Sequence, residues 1–116
     1  RYTKDTTFAA DDHRTYNRHG ESFDVGETFS GVDFATGLEA VERLRPLVPE
    51  GATLAQFALR WIADQAVSVV IPGARNAAQA HANAAAAALS PLDQETHKAV
   101  LEVYDDLIRP LVHRRW

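Results

Sequence analysis

Arg75, Asn76, Gln79 and Asn83 lie close together in the sequence and carry side chains suited to one kind of chemistry. An arginine presents a planar fork of charged donors that suits a phosphate or carboxylate. Carboxamides both donate and accept, which suits the edge of a base. On a helix turning about 100° per residue, the three amides fall within an arc of about 60°, directly below Arg75. Asn76 is a good N-cap, and the free N–H groups and positive dipole end of a helix starting there favour an anion beside the arginine. Each feature also has a plain reading. Arg75 would then be a solvated side chain on a turn, and the amides a polar stripe facing water.

The flanking residues say how such a site would be positioned. Val67, Val69, Val70 and Ile71 predict a strand buried on both faces, because four β-branched residues in a run of five fit a covered pleated surface. Pro72 ends it. Gly73 lets the backbone turn or lets a ligand approach closely, and the alanine-rich stretch from Asn76 predicts a helix to about Leu89. Upstream, Thr36 with Glu39 and Thr53 with Gln56 have capping-box spacing. The first precedes Leu38, Val41 and Leu44 on one face, with Pro46 limiting the helix. The second precedes Leu54, Phe57, Ala58, Trp61 and Ile62, spaced as a single buried stripe. Ser90, Pro91 and Asp93 start a last amphipathic helix, marked by Leu92, Thr96, Ala99, Val100, Val103 and Leu107 and ending near Leu107. Residues 1–32 show no sustained period and read as loop, with Phe8, Tyr16, Phe23 and Phe29 suited to docking on something apolar. Residues 108–116 read as a tail. The count is four helices and one strand, and a strand covered on both faces needs neighbours that this chain does not offer. The sheet is expected to lie elsewhere.

Composition removes several classes. With 46% hydrophobic residues, a chain of 116 can build one core. A net charge of −4 argues against a nucleic-acid surface, which needs a basic excess or stripe. Cysteine is absent, so there is no disulfide or thiolate, as a cytoplasmic protein would allow. No apolar run approaches about 18 residues, so no membrane span is expected. Histidines 13, 19, 81, 97 and 113 are scattered without HExxH, and no metal site is assigned. GxGxxG, GxxxxGK[ST] and GxSxG are all missing. The chain starts at Arg1 and holds no methionine, which predicts processing or a piece cut from a longer polypeptide.

The stretch LAQFALRWI, followed by VSVVIPGARNAAQAHAN, resembles the C-terminal part of the aldo-keto reductase family. Ile71, Pro72, Gly73, Ala74, Arg75, Gln79 and Asn83 match its pattern around the last barrel strand. RYT at the start and the Asp12-x-Arg14 pair extend the likeness over nearly the whole chain. The resemblance implies an α/β chain, mostly helical here, that forms the C-terminal portion of a (β/α)8 barrel. A complete barrel takes about 250 residues, so 116 cannot close one. It further implies NADPH as cofactor and a small aldehyde or ketone as substrate. Gly73, Ala74 and Arg75 would take the adenosine 2′-phosphate, with Gln79 and Asn83 near the adenine. Many members carry Glu immediately before that Asn, whereas Ala82 stands here.

The family's proton-donating Tyr, with its Asp, Lys and His, comes from earlier strands. Asp11 and Tyr16 share a D-x4-Y spacing, but they fall in the loop after the expected seventh strand, and Lys4 and Lys98 lack the strand context of the family's lysine. No catalytic residue is assigned to this chain, which is expected to be inactive alone and to need the N-terminal barrel portion or self-association. A nucleotide-sensing non-catalytic subunit of the same fold and a non-functional remnant are the alternatives.

Overall fold

A computed structural model describes residues 2–115. The chain divides into two compact units: one runs up to Leu44 and resumes at Val100, and the other spans Arg45–Ala99. Helices α1 (His13–Tyr16), α2 (Phe34–Leu44), α3 (Leu54–Ala63), α4 (Ala77–Ala85), α5 (Gln94–Val103) and α6 (Arg109–Val112) follow in order, joined by short 3-10 turns and loops. Among the described residues there is no strand, and no helix is long and apolar enough to cross a membrane.

In the Arg45–Ala99 unit, α3 begins at the capping box expected for Thr53 and Gln56. The Thr53 hydroxyl accepts from the Gln56 N–H, and Gln56 Oε1 accepts from the Thr53 N–H at 3.0 Å. The same Gln56 donates from Nε2 to the Ala82 carbonyl at 3.1 Å, so one side chain starts α3 and ties it to α4. Phe57 is 2% exposed and Ala86 is buried with it. Ala58 and Ile62, expected in the same stripe, are exposed, because nothing in this unit covers that edge of the helix. α3 ends at Asp64. Its carboxylate holds the Arg60 guanidinium, accepts from the Leu92 N–H at 2.9 Å, and lies 3.5 Å from His97 Nε2 on α5. The last helical turn is thereby joined to the start of α5.

The expected strand at 67–71 is the main correction. Val67, Val69 and Ile71 are 47%, 70% and 88% exposed, and the segment is irregular. A strand exists only through ladder bonds to a second chain segment, and these residues find none. The helix that follows is as expected, with Asn76 as N-cap and a closing 3-10 turn at Ala86–Ala88 before Leu89.

The other unit is organised by an unexpected residue. Asn17 is fully buried: its Oδ1 accepts from the Ser22 and Phe23 N–H groups at 2.8 and 2.9 Å, and its Nδ2 donates to the buried Thr28 hydroxyl at 3.1 Å. Beyond Thr28 the backbone takes three left-handed residues in a row, Phe29 (φ 50°), Ser30 (φ 57°) and Gly31 (φ 77°). The first two oppose the L-residue preference by roughly 1 kcal/mol or more each. Ring packing offsets that: Phe29 lies 4.9 Å from Phe34 and 5.9 Å from Phe8, and Tyr2 meets Phe8 at 5.4 Å. Arg14 stacks over Phe8 and binds Asp12, whose carboxyl it holds well below the usual carboxylate range, chiefly through their side-chain hydrogen bond. Residues read as loop are thus fastened to themselves, and two of the four aromatics, Phe8 and Phe29, dock on Tyr2 and Phe34.

Two other expectations change. α2 starts at Asp33, whose carboxylate accepts from the Thr36 N–H and hydroxyl, rather than at a Thr36/Glu39 box. The same bond from the Thr36 N–H holds the Asp33 carboxyl below its ordinary pKa. The last helix, expected to run to about Leu107, changes to a π-helical turn at Tyr104–Ile108, and the stretch 108–116, expected as a tail, carries α6 with buried Val112 and a 3-10 turn whose Arg115 pairs with Asp24. Pro110 sits in the first turn of α6, where its missing N–H costs little. Trp116 lies outside the described residues.

Candidate functional site

The five residues singled out by sequence lie together at the start of α4. Gly73 has no left-handed φ, and a Cβ built there would meet nothing within 4 Å. The turn therefore does not demand glycine, and open space for a close approach is the reading of Gly73 that remains. Arg75 is exposed, and among the described residues its guanidinium has no hydrogen-bonding or ionic partner. It is free to take an anion, and the α4 N-terminus beside it disfavours no negative charge: the first turn of the helix holds no acidic residue.

The amides are placed differently from a row of free base readers. Asn76 Oδ1 accepts from the Gln79 N–H at 2.9 Å, Gln79 Oε1 accepts from the Arg75 N–H at 2.8 Å, and Asn83 Nδ2 donates to the Gly73 carbonyl at 3.0 Å. Gln79 Nε2 and Asn83 Oδ1 are left over for anything further. Ala74 and Asn83 also line a cleft of about 430 Å³ with Leu59, Ala63, Val70 and Pro72. Its walls are mainly small apolar side chains, with one carboxamide among them.

Sequence reasoning passed over Gln56 as more than a cap residue, although its bond to Ala82 fixes the helix that carries Gln79 and Asn83. No local signal marks a contact over that separation. Asp11 and Tyr16, the other spaced pair, are both exposed and share no hydrogen bond. Among the described residues, no group of three or more His, Asp or Glu could hold a metal ion. In the other unit, a second apolar cleft of about 430 Å³ is lined by Tyr2, Phe29, Phe34, Leu38, Val41 and Ile108.

What the α4 start presents is an exposed, unpartnered arginine at a helix N-terminus beside a small apolar cleft. The chain belongs to the aldo/keto reductase family, whose family model matches residues 1–105. That is a family of oxidoreductases built on the (β/α)8 barrel and working with nicotinamide nucleotides. No curated protein and no solved structure matches the chain.

Proposed function

We propose that this chain is the C-terminal, cofactor-holding segment of an NADPH-dependent aldo-keto reductase, and that Arg75 with the α4 N-terminus takes the adenosine 2′-phosphate. The observation that carries this is the unpartnered Arg75 guanidinium at a helix start, next to a glycine with open space around it. Phosphate sites after the last barrel strands, at a helix N-terminus, are a general habit of this fold. When bound, the nucleotide supplies a hydride for a carbonyl carbon. The residues of this chain bind and orient its far end, while the proton donor and its lysine partner are assigned to the rest of the barrel. The aromatic cleft of Phe29 and Phe34 suits one apolar wall for a small carbonyl substrate.

Arg75→Ala tests the reading. A charge-assisted bond is worth about 1.5–3 kcal/mol, so the Kd for NADPH should rise about tenfold to a hundredfold. That for NADH, which lacks the 2′-phosphate, should stay within about twofold. Titration of nucleotide fluorescence reads both. Equal weakening of the two would make Arg75 structural and end the proposal.

The partner of this segment is the remaining barrel or, without it, a second copy. Val67, Val69 and Ile71 expose apolar surface together with an unpaired backbone, which invites strand pairing. Sedimentation velocity should show concentration-dependent association of the chain, abolished in Val69→Lys/Ile71→Lys with helicity unchanged. Identical sedimentation of parent and variant would show that residues 67–71 do not drive pairing.

A further inference from the structure

We propose that Gln79 and Asn83 are positioning residues, holding the 73–75 turn on α4 so that Arg75 can select the 2′-phosphate; this rests on the nucleotide reading above. Residues 68–75 form no backbone-to-backbone hydrogen bond among the described residues. Among the described residues the polar ties of that segment are two, both from α4: Gln79 Oε1 on the Arg75 N–H, and Asn83 Nδ2 on the Gly73 carbonyl. Gln79 is itself fixed, since its own N–H is held by Asn76 Oδ1.

The two ties bracket Ala74 and fix the chain on both sides of it. Gly73 is anchored near the second turn of α4 and Arg75 near the first. The Arg75 backbone is therefore held beside the helix N-terminus, and its side chain extends from a fixed point there. Without them, residues 73–75 would have to be ordered at the moment of binding, and that entropy would be subtracted from affinity. The loss falls on the ligand that uses Arg75. A residue reading the adenine edge would act otherwise, because NADPH and NADH carry the same base.

Amide hydrogen exchange on the ligand-free 116-residue chain, with NADPH and NADH titrations on the same variants, separates the two roles. The Arg75 amide should exchange at least about tenfold more slowly than an unstructured amide. Gln79→Ala should remove that protection and Gln79→Glu, which keeps the acceptor oxygen, should retain it. Asn83→Ala should accelerate Arg75 exchange several-fold although Asn83 does not touch that amide, with α3 amides unchanged as the control for folding. The preference for NADPH should fall to about threefold or less in Asn83→Ala, and should fall little further when Arg75→Ala is added. Equal weakening of both nucleotides with Arg75 exchange unmoved would make Asn83 a base reader and overturn the proposal. Failure of NADPH to bind the unaltered chain would overturn the nucleotide reading; Arg75 exchange unmoved in Asn83→Ala would then remove the latch as well, and accelerated exchange would keep it.

Discussion

Phe57→Ala should unfold the Arg45–Ala99 unit under conditions in which the parent chain is folded. α4 reads AAQAHANAA and has no large apolar side chain and no buried residue of its own. The ring that fills the space between α3 and the alanine-rich segment must therefore come from α3, and Phe57, 2% exposed, is the buried residue there. Truncating a buried Phe costs about 3–5 kcal/mol in transfer and cavity terms. A unit of this size has about 3–8 kcal/mol in all, so the loss takes most of it. Phe57→Leu keeps most of the volume and should cost less than about 2 kcal/mol. Urea titration followed by far-UV circular dichroism would show the alanine variant with helical signal reduced before denaturant is added, and the leucine variant with a shifted midpoint only. An alanine variant melting within about 1 kcal/mol of the parent would mean that the helix pair does not depend on this contact. Function is linked to it, because α4 carries Gln79 and Asn83 and hence the Arg75 turn.

The features legible in the sequence are those closed within four residues. Thr53 with Gln56, and Asn76 ahead of the alanine run, each satisfy a helix start locally, so spacing alone finds them. Asp33 has the same local signature, three residues before Thr36, and competes with the Thr36/Glu39 spacing for the same helix start. Val67 to Ile71 has the composition of a buried strand, but whether it forms one depends on atoms outside this chain. Asn17 was illegible for a different reason. Its partners stand five to eleven residues away in a segment without periodicity, and an asparagine in a polar loop normally signals only a turn. Left-handed Phe29 and Ser30 could not be read at all, since their cost is offset by rings at Phe8 and Phe34. In the candidate site, residue identities were legible but not their hydrogen bonds: spacing placed the amides on one face, and only the fold shows that two of them hold the 73–75 turn.

Asp64→Ala should be the next most damaging change, and its companion Asp64→Asn should reveal the charge through pH. The carboxylate is one-tenth exposed, its partner Arg60 little more, and Arg60 Nε is already buried without an acceptor. Removing the side chain strands the guanidinium and the Leu92 N–H together and takes a neighbour from His97. Breaking such a partly buried pair costs about 2–4 kcal/mol. Burial pushes the Asp64 carboxyl up, but the Leu92 N–H, the Arg60 hydrogen bond and the charges of Arg60 and His97 outweigh it, so its pKa lies below the ordinary 3.8. A carboxyl that binds its proton less readily in the folded state stabilises the fold fully above its unfolded pKa. That contribution is lost as pH falls through the lower, folded value. Below about pH 5 the stability difference between parent and Asp64→Asn should therefore shrink as the pH falls further. Taking the difference is necessary because Asp12, Asp33 and Asp93 are also lowered and titrate in the same acid range. Asparagine retains an acceptor for the Leu92 N–H, so what disappears with acid is the attraction to Arg60 and His97. A difference that stayed level, or grew, as the pH fell below about 5 would show that the Asp64 charge contributes nothing to joining α3 and α5.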